Sequence, residues 1–284
     1  MSAALLVARQ AVRESLRRRV FAVVLGLTLL FGGLYWWGCS ALFQDVSDFG
    51  QNDVGLDATS LAGATILGMA MFGTLFLGVV LAVFLTLGAA RGDAERGLLQ
   101  PLIVRPLGRS HYLLGRFLAA AGVSMAYVAV CFAGAVVITG VEGGWWPTNV
   151  AGAGLRLVAA VLVMCAMSVL GSVFLSSNAN GIAVLMIFGA GLLAGLLGSI
   201  GDALESHTLQ RIADTGSWLL PFEALYRDAL RLLVENIPGV TGAVVQLGPL
   251  GGSHDAGPLV LPWTVVYLLL AGAVASAAFA RRDL

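Results

Sequence analysis

The feature that most constrains this chain is the recurrence of long apolar blocks, at about 20–38, 61–88, 113–139, 150–174, 181–200 and 259–280. A hydrocarbon core of ~30 Å takes about 20 residues of helix to cross. Lipid offers no water to backbone N–H and C=O groups, so an open chain satisfies them there only as α-helix. The first five blocks contain no proline, and in the sixth Pro262 falls in the opening turn, where a missing N–H is tolerated. The expected fold class is all-α, a polytopic membrane protein with six transmembrane helices in one domain spanning 1–284. Only 11% of its residues are charged and 58% are hydrophobic, against roughly 25% charged in soluble domains. A soluble domain of this size could not hide that much apolar surface.

Orientation follows from the distribution of charge, because the net charge is zero and points to neither nucleic acid nor an acidic substrate. The chain holds 16 basic residues, all arginine, and 16 acidic ones. Arg9, Arg13, Arg17, Arg18 and Arg19 precede the first block; Arg91, Arg96, Arg105, Arg109 and Arg116 cluster around the connection between the second and third; Arg281 and Arg282 end the chain. Those ends read as cytoplasmic under the positive-inside rule. The opposite loops are acidic, with Asp45, Asp48, Asp53 and Asp57 after the first block, Glu142 after the third, and seven carboxylates between Asp202 and Asp255. An odd number of spans would destroy this segregation, so the expectation is six spans, both termini cytoplasmic, in the plasma or inner membrane.

Three features lie outside the blocks. In the leader, Leu5, Ala8, Val12 and Leu16 share one helical face and Arg9, Arg13 and Arg17 line the next. That pattern predicts a helix lying in the headgroup layer, held by apolar burial and by attraction to membrane lipid. The connection 91–116 mixes Asp93 and Glu95 with Leu98, Leu99, Leu102 and Ile103, and the pattern ends around Pro101 to Pro106. It reads either as a short amphipathic helix that docks in a groove of a soluble partner or as a solvated loop carrying topology charges. The outer loop 201–258 carries its own helix from Pro221, with Phe222, Leu225, Tyr226, Ala229, Leu232 and Leu233 on one side and Glu223, Arg227, Asp228, Arg231 and Glu235 on the other. This element is expected to lie on the external face of the membrane or to cap the bundle.

Absences narrow the function. The blocks contain no Asp, Glu or His, and only Arg116 and Arg156, each near an end where it can snorkel, whereas ion-coupled carriers keep ionisable groups or broken helices at mid-membrane. His111, His207 and His254 lie in loops, and Ser168, Ser172 and Ser276 have no adjacent base, which argues against an intramembrane hydrolase. Cys39, Cys131 and Cys165 have no metal-ligand spacing and read as packing residues. Gly191 and Gly195 read as close-packing positions within one bundle rather than as a dedicated dimer motif. Thr74, Thr86, Met125, Ser168 and Ser172 offer an unselective lining for a path. No GxxxxGK[ST] occurs, so the chain has no P-loop of its own.

The connection is also the most recognisable stretch. Glu95 and Gly97, a hydrophobic run, Arg105-Pro106, Arg109 and Leu114-Gly115-Arg116-Phe117 resemble the E-x-G-T, R-P-x-x-R and G-K-F pattern of permease subunits in the ABC-2 exporter family. The arginine-bearing leader resembles that family's elbow helix, and Arg281-Arg282-Asp283-Leu284 its usual tail. Leu220-Pro221-Phe222 and Leu225-Tyr226-Arg227 are similar to the branch of permeases serving nitrous-oxide-reductase maturation. The sequence departs from the pattern at Leu98, where Thr is usual, and at Arg116, where Lys is. The resemblance implies a permease subunit that forms the translocation path, pairs with a second permease copy as a homodimer, and is driven by a separate ATP-binding-cassette ATPase holding the ATP and Mg. No cofactor is expected in this chain itself, nor catalytic activity. It further implies a coupling helix with Asp93, Glu95, Arg96, Gly97, Leu98, Leu99, Arg105 and Arg109 at the docking surface. A non-conducting membrane scaffold that anchors an ATPase is the alternative. Epitope tags inserted beside Asp48 and Ser206 are expected to be reachable from outside intact cells; shielding of either would overturn the threading.

Overall fold

The computed structural model describes residues 19–48, 57–87, 109–235 and 256–281. Every regular element among them is helical. In chain order they are α1 (Arg19–Asp48), α2 (Ala58–Thr86), α3 (Arg109–Gly143), α4 (Val150–Phe174), α5 (Ser177–Ala203), α6 (His207–Leu219), α7 (Pro221–Val234) and α8 (Val260–Ala280). Six of these, all except α6 and α7, are long and apolar enough to cross a membrane. They correspond one for one with the six apolar blocks. The elbow residues Arg9, Arg13 and Arg17 lie outside the described residues, as do Asp93, Glu95, Arg96, Gly97, Leu98, Leu99 and Arg105 of the connection. Arg109 opens α3.

Several helices outrun their apolar blocks. Helix α1 continues ten residues past Gly38, so Asp45 and Asp48 sit in its last turns rather than in a loop. Helix α3 is 35 residues long and begins four residues before the third block. A hydropathy pattern marks where side chains meet lipid, whereas backbone hydrogen bonding carries the helix on into the headgroup layer. Starts are set by local caps. Asp57 Oδ1 accepts from the amides of Thr59 and Ser60, each at 3.2 Å, and Asn149 Oδ1 accepts from Gly152 N at 3.1 Å. The Ser60 hydroxyl and these amides hold the Asp57 carboxyl below its ordinary range.

Helices α2 and α4 form the centre. Leu67, Met71 and Leu75 of α2 meet Leu157, Val161 and Met164 of α4 and Val128 of α3, all fully buried. Helices α1, α5 and α8 turn one face inward and leave large apolar side chains such as Leu29, Met186 and Leu269 exposed on the other, as a lipid-facing ring requires. The polar residues expected to line a path are instead buried among the helices, and Thr86 and Ser168 bond across two of them. Thr86 Oγ1 meets Ser168 Oγ at 2.6 Å, Ser172 Oγ donates to Val169 O at 2.7 Å, and Thr74 is buried; only Met125 faces outward.

Close approach of helices depends on glycine at a few positions. On α5, a Cβ at Gly191 would overlap the Phe222 ring and one at Gly195 would overlap the Glu223 carboxylate. The small-residue pair read from the sequence is thus a seat for α7 within the same bundle. Gly191→Val is expected to cost about 1–3 kcal/mol through overpacking against a rigid ring. Gly272→Val in α8, where a Cβ meets nothing within 4 Å, is expected to stay within about 0.5 kcal/mol. Thermal unfolding of the two variants in detergent checks the contrast.

Candidate functional site

Two places stand out as sites: the end of the bundle that carries α6 and α7, and the opposite end, where the connection 88–108 joins α2 to α3. Helix α7 begins with Pro221 at its first position and Glu223 in its first turn, both favourable there. It does not lie on a surface. Phe222, Leu225, Tyr226 and Ala229 are fully buried, and on the opposite face Glu223, Arg227 and Asp228 are buried as well. Phe222 stacks on Phe188 of α5 with centroids 5.4 Å apart, and Tyr226 meets Phe72 of α2 edge-on at 6.4 Å. The helix therefore plugs the mouth of the bundle, and its charged side faces protein rather than water.

Burying charge is costly unless each ion is paired, and the structure supplies the pairs. Asp228 accepts from Arg156 Nε of α4 and from Arg231 Nε at 3.1 Å, while Arg231 also reaches Glu235 at 3.4 Å. Arg156 is six residues into α4, about 9 Å along the helix. The sequence reading let it snorkel to the headgroups; instead it is tied across the bundle to the outer-loop helix, with a further bond from Nη1 to Gly152 O at 3.3 Å. Glu223 and Arg227 form a second pair at 3.6 Å, and Arg227 Nη2 reaches Ser199 Oγ at 3.5 Å. That pair is long, so burial outweighs the attraction of Arg227 and pushes the Glu223 carboxyl up to about 7.

Helix α6 is not expected from the sequence pattern, which places that stretch in the irregular part of the outer loop. Its signal was available: Leu209, Ala213 and Gly216 fall on one face, and there Ala213 and Gly216 pack against Gly198 and Ala194 of α5. Trp263 Nε1 donates to Trp218 O at 2.9 Å and the two indoles meet edge-on, joining α8 to α6. Between α5, α6, α7 and α8 lies a cavity of about 170 Å³ bordered by Asp202, Asp214, Glu223, Arg227, Trp218 and Trp263. Among the described residues no group of three or more His, Cys, Asp or Glu is placed to hold a metal.

At the opposite end, α2 stops at Thr86 and α3 starts at Arg109, so the connection is held at both ends by long spans. Asp228→Ala, at the α7 end, is expected to lose about 3–5 kcal/mol because Arg156, half sunk in the bundle, loses its carboxylate and Arg231 keeps only Glu235. The double variant Arg156→Leu with Asp228→Leu is expected to recover most of that loss, read as the shift in unfolding temperature of the purified protein.

Residues 5–284 match the family model described as ABC-2 family transporter protein. The chain is 30% identical over 278 residues to the probable ABC transporter permease protein NosY of Stutzerimonas stutzeri, covering 93% of this chain and 91% of that protein. It is 33% identical over 113 residues to the protein of the same name from Pseudomonas aeruginosa, covering 39% of this chain and 36% of that one. A six-helix membrane bundle with no P-loop fits the part such proteins play beside an ATPase. The chain belongs to the ABC-2 family of transporter proteins and is the membrane-spanning permease subunit of an ATP-binding-cassette transporter.

Proposed function

We propose that this permease is the translocating half of an exporter in the plasma or inner membrane, with both termini cytoplasmic and all of 1–284 forming one transmembrane domain. The observation that carries the reading is the position of the connection 88–108. It leaves the central helix α2 directly after Thr86 and enters α3 at Arg109, so any force on it acts on the core of the bundle. Asp93, Glu95, Arg96, Gly97, Leu98 and Leu99 enter a groove of the ATPase, with Arg105 and Arg109 at its edge. ATP and Mg are bound by that partner, and ATP-driven closure there tilts α2 and α3. The free energy reaches the permease as a difference in affinity between two bundle states and two ATPase states.

Two copies form the path. The centre of one bundle is filled by Leu67, Met71, Leu157 and Met164, all fully buried, so a route for substrate runs between bundles rather than through one. The leader residues Arg9, Arg13 and Arg17 hold the elbow helix against anionic lipid. Replacing both Leu98 and Leu99 by Asp is expected to abolish co-purification of the ATPase and ATP-dependent transport while leaving the helical circular dichroism of the permease intact. Retained binding and transport would overturn the coupling role, and ATPase binding by the native chain without any transport would favour the scaffold reading.

A further inference from the structure

The end of the bundle beside the connection holds a polar chain inside the membrane-spanning core. Thr86, the last residue of α2, Ser168 of α4 and Asn180 in the first turn of α5 are all fully buried. Asn180 Nδ2 donates to Ser168 O at 2.9 Å and approaches Ser168 Oγ at 3.4 Å. Ser168 Oγ lies 2.6 Å from Thr86 Oγ1, which lies 2.8 Å from Ala82 O and 3.1 Å from Val83 O.

Donor counting gives this chain a direction. A hydroxyl has one hydrogen to donate. Thr86 spends its hydrogen on the carbonyls of its own helix, so the Ser168 hydroxyl must be the donor in the bond between them. Ser168 Oγ is then left as an acceptor, which suits the Asn180 amide above it. The order is Asn180 to Ser168 to Thr86 to Ala82, joining α5, α4 and α2 with no donor left over. Removing the Thr86 hydroxyl would orphan a buried donor, which makes this arrangement costly to leave. Asn180 Oδ1 is buried with no hydrogen-bond partner and lies where a Cβ at Gly171 would be. The side chain sits against α4 at that glycine, where any larger residue would overlap it.

We infer that Thr86, Ser168 and Asn180 are positioning residues for transport, a clasp that passes displacement of the connection 88–108 from the end of α2 to the α4–α5 hairpin. Helix α5 then carries it to the far end, where Gly191 and Gly195 seat Phe222 and Glu223 of α7. A donor-ordered bond between α2 and α4 has a made and a broken state, the kind of two-state element that coupling between two ends requires. The inference rests on the proposed docking of the connection on the ATPase.

The test uses the complete complex in nanodiscs, with the native cysteines replaced by alanine and Leu204→Cys, 69% exposed at the far end of α5, as a reporter for a maleimide. With the clasp intact, ATP is expected to change the labelling rate by about 5-fold or more, the lower range of ordinary allosteric coupling. Thr86→Val, which keeps shape and removes the hydroxyl, is expected to bring that ratio close to one while ATPase co-purification stays near native and the unfolding temperature of the complex falls only by what one orphaned donor costs. Thr86→Ser is expected to restore the ratio, and adding Ser168→Ala to Thr86→Val to change little further, since both remove one bond. A full ATP response in Thr86→Val, or none in the intact complex, would overturn the clasp. Failure of the docking reading shows separately, as ATPase that still co-purifies when Leu98 and Leu99 are both Asp.

Discussion

The absence of water from the hydrocarbon core is the constraint on which the rest of this structure depends. It forces the backbone into helices, and it gives each polar side chain inside the bundle a choice between a partner and a large desolvation cost. The Arg156–Asp228 pair, the Tyr35–Thr139 contact at 2.5 Å and the Thr86–Ser168 bond are all outcomes of that choice. Each joins two helices distant in sequence. Because lipid is as apolar as leucine, these bonds and the close contacts at glycine do the work that hydrophobic exclusion does in water.

The two ends of the bundle use that constraint differently. At the α7 end, a helix with a charged face is sunk among the spans and held by ion pairs. At the connection end, neutral hydroxyls and one amide link α2, α4 and α5. A neutral clasp can break and re-form without exposing a bare charge, which suits an end proposed to receive force. The ion pairs at the other end suit a part that keeps its shape.

How far the sequence could be read depended on whether a feature was local. Span number and helical type were legible, because about 20 apolar residues in lipid leave one solution. The amphipathic face of α7 was legible too, and Phe222, Leu225 and Tyr226 are indeed buried. What failed were inferences about the opposite partner. The sequence put Glu223, Arg227 and Asp228 on one side of a helix without saying what they meet, and Arg156 read as a snorkelling cation. Their burial follows from one another's presence, which no window along the chain contains. Helix α6 was missed for a related reason: its mean hydropathy is low, and it is held by contact with α5 rather than by lipid.

The sequence by itself determined that this chain is a six-span helical bundle, the asymmetry of its charges, and its kinship with permeases, since these rest on hydropathy, arginine placement and short motifs read along the chain. Only the tertiary structure decided that α7 is a plug rather than a surface helix, that Gly191 and Gly195 receive it, and that Thr86, Ser168 and Asn180 form one hydrogen-bonded chain. Those outcomes depend on pairs of residues separated by tens of positions, and whether a buried polar atom finds a partner is settled only when the helices carrying both have packed.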